Sequence, residues 1–217
     1  FCLSRGLGDV YKRQGLEIAR QGNDYFGFFI SETRLWRLSF GPSLLGQPSA
    51  ANTNVTLPNC VGLNVFNYKN QWYGLGVNSS IANSIYFLQF GNNLNNAPIV
   101  NTISTGNALS NARNIIVIED ESGIAALVTN LASNAITMLR FGTNINAVPE
   151  ITNYPMAGAS SSFDIYMVRE CNRWYGLITD NSGNGLIQIA FPSGIANSPT
   201  FNLSLIHISE PTRQAEI

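Results

Sequence analysis

Apolar and polar residues alternate along this chain in short runs, and the runs recur. In Leu88-Gln89-Phe90 two apolar positions flank a polar one, and Leu38-Ser39-Phe40, Leu139-Arg140-Phe141 and Ile189-Ala190-Phe191 keep the same parity. Period two with a fixed apolar parity predicts strands with one face toward a neighbouring layer. Burying each such Phe or Leu stabilises by about 1.5–3 kcal/mol, and a slip of one residue would turn the face to water. From Phe40 the aromatic returns after 50, 51 and 50 residues, and Pro48, Pro98, Pro149 and Pro199 keep the same step. A fixed period near fifty marks a repeat array.

Each copy divides into four short β segments. In the second they are Gly62–Tyr68, Trp72–Val77, Ile85–Phe90 and Pro98–Ile103, joined at Lys69-Asn70-Gln71, Asn78–Ser84 and Gly91–Ala97. Short apolar runs separated by Asn, Gly and Ser are the hairpin signature. No window shows the i, i+3, i+4, i+7 spacing of an amphipathic helix. The second segment of each copy places Gly27, Gly74, Ala126 and Gly176 in one column, where a small residue admits a neighbouring ring or backbone. The glycine after the aromatic (Gly41, Gly91, Gly142) suits a bulge or a positive φ at a strand end, and the fourth copy has Pro192 there.

Repeats of four antiparallel strands stacked face to face predict an all-β fold, a β-propeller of four blades spanning about 15–57, 58–108, 109–158 and 159–202. A solenoid of β-arches is the alternative, although solenoid coils are shorter. The expectation is an incomplete arc of a ring of six to eight blades.

The ends read differently. Leu203–Glu216, back-translated and reverse-complemented, yields Phe1–Gln14 residue for residue. No folding requirement produces that relation. Both stretches resemble a sequencing adapter read in frame, so 1–14 and 203–217 are expected to lie outside the fold, leaving Gly15–Asn202. The only histidine, His207, and Cys2 fall in these stretches. So does the basic cluster Arg5, Lys12 and Arg13.

Composition then excludes several classes. Within Gly15–Asn202 there are 8 Lys and Arg against 10 Asp and Glu, so the basic footprint of a nucleic-acid binder is missing. No apolar run reaches the ~18 residues of a membrane span. Asn accounts for 27 of these residues and clusters between apolar runs, which suits tight turns. Cys60 and Cys171 occupy different places in the repeat. With no histidine and no C-x-x-C they read as plain thiols or a disulfide rather than a zinc site.

Candidate chemistry is sparse. Asp180–Gly185 resembles the start of a calcium loop, but position 12 of such a loop falls on Phe191, and a hairpin turn explains it better. Glu119-Asp120-Glu121 sits at a hairpin tip, with a solvated turn favoured over a weak cation site. Glu17, Asp24, Glu32, Asp164, Glu170 and Asp180 are scattered, mostly at strand ends, and no pair of them is fixed by spacing as a glycosidase pair. A Ser-His-Asp triad is impossible without a histidine. Trp72 and Trp174 could stack on sugars, yet their fixed repeat position favours packing between blades. No catalytic, metal or cofactor residue is assigned from the sequence.

W-Y-G-L at Trp72–Leu75 and Trp174–Leu177, a third strand ending in F-G, and then x-L-x-x-x-P resemble the propeller repeats of large secreted Bacteroidetes proteins. The resemblance implies an extracellular or cell-surface setting, with PKD or other immunoglobulin-like modules often following the propeller. It supplies no catalytic motif. The function expected is therefore a non-catalytic binding or scaffolding propeller, with an unknown protein or glycan as ligand. The alternative is a polysaccharide-active lyase or hydrolase with convergent carboxylates on the innermost strands.

Overall fold

The computed structural model describes residues 13–79, 84–156, 161–180 and 185–204. It forms sixteen strands in four antiparallel sheets, each a simple up-and-down meander, with no helix among the described residues. Blade 1 holds β1 (Arg13–Gln21), β2 (Asp24–Ser31), β3 (Arg34–Gly41) and β4 (Ser49–Thr56). Blade 2 holds β5 (Cys60–Tyr68), β6 (Gln71–Asn78), β7 (Ser84–Gly91) and β8 (Ile99–Ser104). Blade 3 holds β9 (Ala112–Asp120), β10 (Gly123–Asn130), β11 (Ala135–Gly142) and β12 (Glu150–Pro155). Blade 4 holds β13 (Ser162–Glu170), β14 (Arg173–Asp180), β15 (Gly185–Phe191) and β16 (Thr200–Ser204). The first strands, β1, β5, β9 and β13, lie against one another in order and form the inner wall. The fold is a β-propeller arc, as the repeat predicts.

At the ends the strands run slightly past the expected boundary. β1 begins at Arg13 and β16 ends at Ser204, so Arg13, Gln14, Leu203 and Ser204 join the ladders. Backbone pairing tolerates almost any residue but proline, so a neighbouring strand can recruit a few flanking residues whatever their origin. The rest of 1–14 and 203–217 lies outside the described residues.

The turns show why Asn is so frequent. Asn provides five of the eight non-glycine residues with positive φ among those described (Asn54, Asn59, Asn70, Asn111, Asn172). Lys69-Asn70 and Cys171-Asn172 are two-residue hairpin turns with both φ values positive, the twist that matches flanking strands. In the loop after the third strand, Asn93 Oδ1 accepts the Asn95 N–H at 2.9 Å and Asn144 Oδ1 accepts the Asn146 N–H at 3.1 Å. The side chain thus closes a turn that the backbone repeats in every blade.

Three apolar cores fill the three gaps between blades. Phe28, Ile30 and Leu35 of blade 1 meet Leu63, Leu88, Phe90 and Leu94 of blade 2, with the Phe28 and Phe90 rings 5.0 Å apart. Leu75, Val77 and Phe87 of blade 2 meet Leu139, Phe141 and Ile145 of blade 3. Leu127 and Met138 of blade 3 meet Ile189, Phe191 and Ile195 of blade 4. The repeated aromatic therefore faces the preceding blade. Phe90, Phe141 and Phe191 are buried, whereas Phe40, with no blade before it among the described residues, is only half-buried.

The small-residue column lies beneath these rings. A Cβ on Gly27 would sit 3.3 Å from both Leu38 and Phe40, and one on Gly74 would sit 3.3 Å from Leu88 and 3.6 Å from Phe90. In blades 1 to 3 the aromatic is the extra residue of a bulge, and the glycine after it takes φ of 67°, 74° and 61°. Blade 4 has Pro192, which cannot reach positive φ, and there Trp174 pairs directly with Phe191 and the bulge is gone.

Candidate functional site

The inner wall lines an open cavity of about 540 Å3 on which all four first strands converge. Gly62 permits this close approach. A Cβ there would lie 2.7 Å from the Arg113 carbonyl oxygen and 2.9 Å from the Asn114 Cα, so β5 and β9 meet backbone to backbone.

Two carboxyl groups open onto the cavity, Glu17 from β1 and Asp164 from β13. Each is held by an amide of an adjoining wall strand, Glu17 by the following one and Asp164 by the preceding one. Asn64 Nδ2 donates to Glu17 Oε1 at 2.7 Å, while Asn64 Oδ1 accepts the Val117 N–H at 3.0 Å. Asn64 thereby ties three blades together. On the other side Asn114 Nδ2 donates to Asp164 Oδ1.

Asn114 and Asp164 hold the same register in successive blades. Each side-chain oxygen accepts the N–H of the following residue, Ile115 at 2.7 Å and Ile165 at 2.9 Å. Each backbone N–H goes to a threonine hydroxyl on the second strand, Thr129 at 2.9 Å and Thr179 at 3.0 Å. Blade 4 thus places a carboxylate where blade 3 has a carboxamide, at the same position of the first strand.

Burial pushes the Glu17 carboxyl up to about 7, from an ordinary 4.5, against the hydrogen bonds from Asn64 and the Val65 backbone that favour its charged form. A carboxyl that is protonated in a large share of molecules at neutral pH can donate a proton there.

The other acidic candidates among the described residues do not line the cavity. Asp24 and Glu170 end hairpin strands, and Glu32 sits in a turn with φ of 59°. Asp180 ends β14, where its carboxylate accepts the Ser161 N–H at 3.2 Å. Asn181–Asn184 of the calcium-like segment lie outside the described residues. No group of three metal-ligating side chains forms among the described residues.

Asp120 departs from the expected solvated tip. Burial would raise its pKa, but hydrogen bonds from the Ser122 side chain and from the Ile195 and Ser122 backbones outweigh burial and hold it low. Its Oδ2 accepts the Ile195 N–H at 2.8 Å, so it latches blade 3 to the loop of blade 4. The tryptophans are packing residues: Trp72 lies against the first core, and Trp174 against the third with its Nε1 donating to Glu119 O at 2.9 Å. Cys60 is a buried free thiol, pushed up to about 12 by burial, and Cys171 is an exposed free thiol.

No protein-family model matches the chain, and no curated protein matches it in sequence. Solved structures do match it in fold. A glycoside hydrolase family 43 (GH43) β-1,3-galactosidase superposes with a TM-score of 0.61 at 10% identity, over 88% of this chain and 45% of its own. The exo-β-1,3-galactanase of Phanerochaete chrysosporium gives 0.61 at 11%, over 88% of this chain and 49% of its own. An α-L-arabinofuranosidase of Clostridium thermocellum gives 0.58 at 8%, over 87% and 71%. This chain spans just under half the length of the first two. At such identities the likeness establishes the propeller fold.

Proposed function

We propose that this chain is part of a polysaccharide-active propeller enzyme that hydrolyses glycosidic bonds in its central channel. The observation that carries the proposal is the convergence of Glu17 and Asp164 on one cavity, each fixed by an asparagine of the adjoining wall strand. Glycoside hydrolysis uses two carboxyl groups, one to protonate the leaving oxygen and one to act on the opposite side of the sugar. Glu17, with its raised pKa, is the proton donor to the glycosidic oxygen as the C–O bond breaks. Asp164 is the partner that takes the proton of the attacking water. The structural neighbours named above as galactosidase, galactanase and arabinofuranosidase support glycans as the substrate class. The setting proposed is extracellular or cell-surface, within a multidomain protein of the Bacteroidetes type.

The second reading is a propeller that binds glycan without turnover. The amide clamps on both carboxyl groups favour it, because they fix acceptors for sugar hydroxyls. Reducing-end release from arabinan, xylan and β-1,3-galactan separates the two. Hydrolysis should appear, fall about 100-fold or more in Glu17→Gln and in Asp164→Asn, and decline as pH rises through about 7, where Glu17 loses its proton. Glycan binding with no cleavage at any pH would refute the enzymatic reading.

A further inference from the structure

One cation on the channel wall has no use in the scheme above. Arg113 lies on β9, one residue before Asn114, and lines the same cavity. Its Nε is buried and makes no hydrogen bond, and its guanidinium forms no ion pair among the described residues. Among the described residues its side chain meets the Phe163 ring, 6.0 Å from the guanidinium carbon. Phe163 holds the equivalent place on β13 and is itself about half exposed, at 48%. The two side chains stand side by side on the wall, one step along their strands from the Asn114–Asp164 pair.

This pairing has a chemical meaning. The arginine side chain as a whole is only half-buried and its guanidinium finds no acceptor among the described residues, so its accessible donors are left for an acceptor arriving from outside. A planar guanidinium fits a carboxylate or sulfate with two parallel N–H donors. The exposed face of a phenylalanine offers an apolar platform for the C–H face of a sugar ring. Asp164 makes no ion pair with the arginine among the described residues, and its Oδ1 is held by Asn114 and the Ile165 N–H instead.

We infer that Arg113 and Phe163 form a subsite for an anionic substituent, so that the glycan taken into the channel carries a carboxylate or a sulfate ester on the sugar that rests on Phe163. The inference rests on the channel being the glycan site.

Calorimetric titration of the full chain tests it with three glycans: polygalacturonate, a sulfated galactan and its desulfated neutral counterpart. The anionic polymers should bind about tenfold or more tightly than the neutral one, the gain expected of a charge-assisted hydrogen bond. That preference should vanish in Arg113→Gln, with neutral binding kept, and survive in part in Arg113→Lys. Added salt should weaken the wild-type protein's hold on the anionic polymers only. The comparison of polygalacturonate with the sulfated polymer tells which anion is taken. Equal affinity for neutral and anionic glycans, or an undiminished preference in Arg113→Gln, would overturn the subsite and leave the hydrolase proposal standing. Binding of no glycan at all would overturn both. The salt dependence is read on the wild-type protein and stands even if a variant folds poorly.

Discussion

The three gaps between blades and the two outer faces are made from the same residue columns, yet they meet opposite environments. Phe28, Leu75 and Leu127 share one register position on the second strand and are all 0% exposed, while Leu177 at that position in blade 4 is 50% exposed. On the other side of the arc, Leu94, Ile145 and Ile195 are buried, while Leu44 at the same place in blade 1 is 47% exposed. Leu16 and Ile18 of β1 and Tyr166 and Val168 of β13 add to these bare faces. No packed interface joins blade 4 back to blade 1 among the described residues. Each blade therefore carries two apolar faces whether or not both are covered. The pattern encodes an interface rather than a burial state, and it describes an arc of a larger ring.

The sharpest way to break that comparison is to delete the same side chain on the two sides of it. Phe90→Ala removes a ring packed on Phe28 between blades 1 and 2, and should cost about 3–5 kcal/mol in chemical denaturation. Phe40→Ala removes the equivalent ring from an uncovered face and should cost about 1–1.5 kcal/mol, the share set by partial burial. Equal losses would mean that the columns are stabilised within each sheet and that the gaps between blades contribute little.

A second contrast concerns polar contacts at the end of each first strand. Gln21 Oε1 accepts the Leu94 N–H at 2.8 Å, Tyr68 Oη donates to Thr143 O at 3.1 Å, and Asp120 Oδ2 accepts the Ile195 N–H at 2.8 Å. Each reaches the third-to-fourth-strand loop of the following blade. Glu170 is the fourth member of the series, and no blade follows it among the described residues. Asp120→Ala should therefore cost about 0.5–1.5 kcal/mol at neutral pH, and Glu170→Ala about 0.5 kcal/mol or less. The pH dependence fixes the cause. The folded-state pKa of Asp120 is lowered, so its contribution is present above the unfolded value of 3.8 and is lost as pH falls through the lower folded value. The difference between wild type and Asp120→Ala should shrink on acidification, as read from urea midpoints between pH 7 and pH 2. A difference constant across that range would assign the effect to packing.

Much of this was legible in the sequence, and the limits have a physical form. The Phe-Gly repeat gave the strand parity and the blade period, because a face that must be buried repeats in every copy. The small column beneath the rings was legible for the same reason. The latches were not, because Gln21, Tyr68 and Asp120 differ in chemistry and share only a place. The cavity pair was hidden for a related reason. Glu17 and Asp164 lie two residues apart in repeat register, on strands whose polar positions vary between copies. Matching the first strands through Ile18, Val65, Val117 and Met167, which pair with the small-residue column, would have put both on the inner wall. Neighbouring strands, not neighbouring residues, decide what a channel contains. The supporting asparagines were not singled out for the same reason: composition counts Asn64 and Asn114 with the rest and cannot separate the wall from the loops.

The smallest effect on folding stability and the clearest effect on solution behaviour should come from the uncovered face of blade 4. Leu177→Thr replaces a half-exposed leucine by a β-branched polar residue that suits a strand. It should change stability by about 0.5 kcal/mol or less, since little burial is lost. Exposed contiguous apolar surface promotes association, so the same change should lower the concentration dependence of the apparent mass in light scattering. Leu127→Thr, at the matching position in the gap between blades 3 and 4, supplies the control. There a polar group enters a dry core, and the chain should unfold at lower denaturant rather than become better behaved. If Leu177→Thr left association untouched, the bare sheet would not be the surface through which copies meet, and the remaining candidate would be the blade 1 face around Leu16, Phe40 and Leu44.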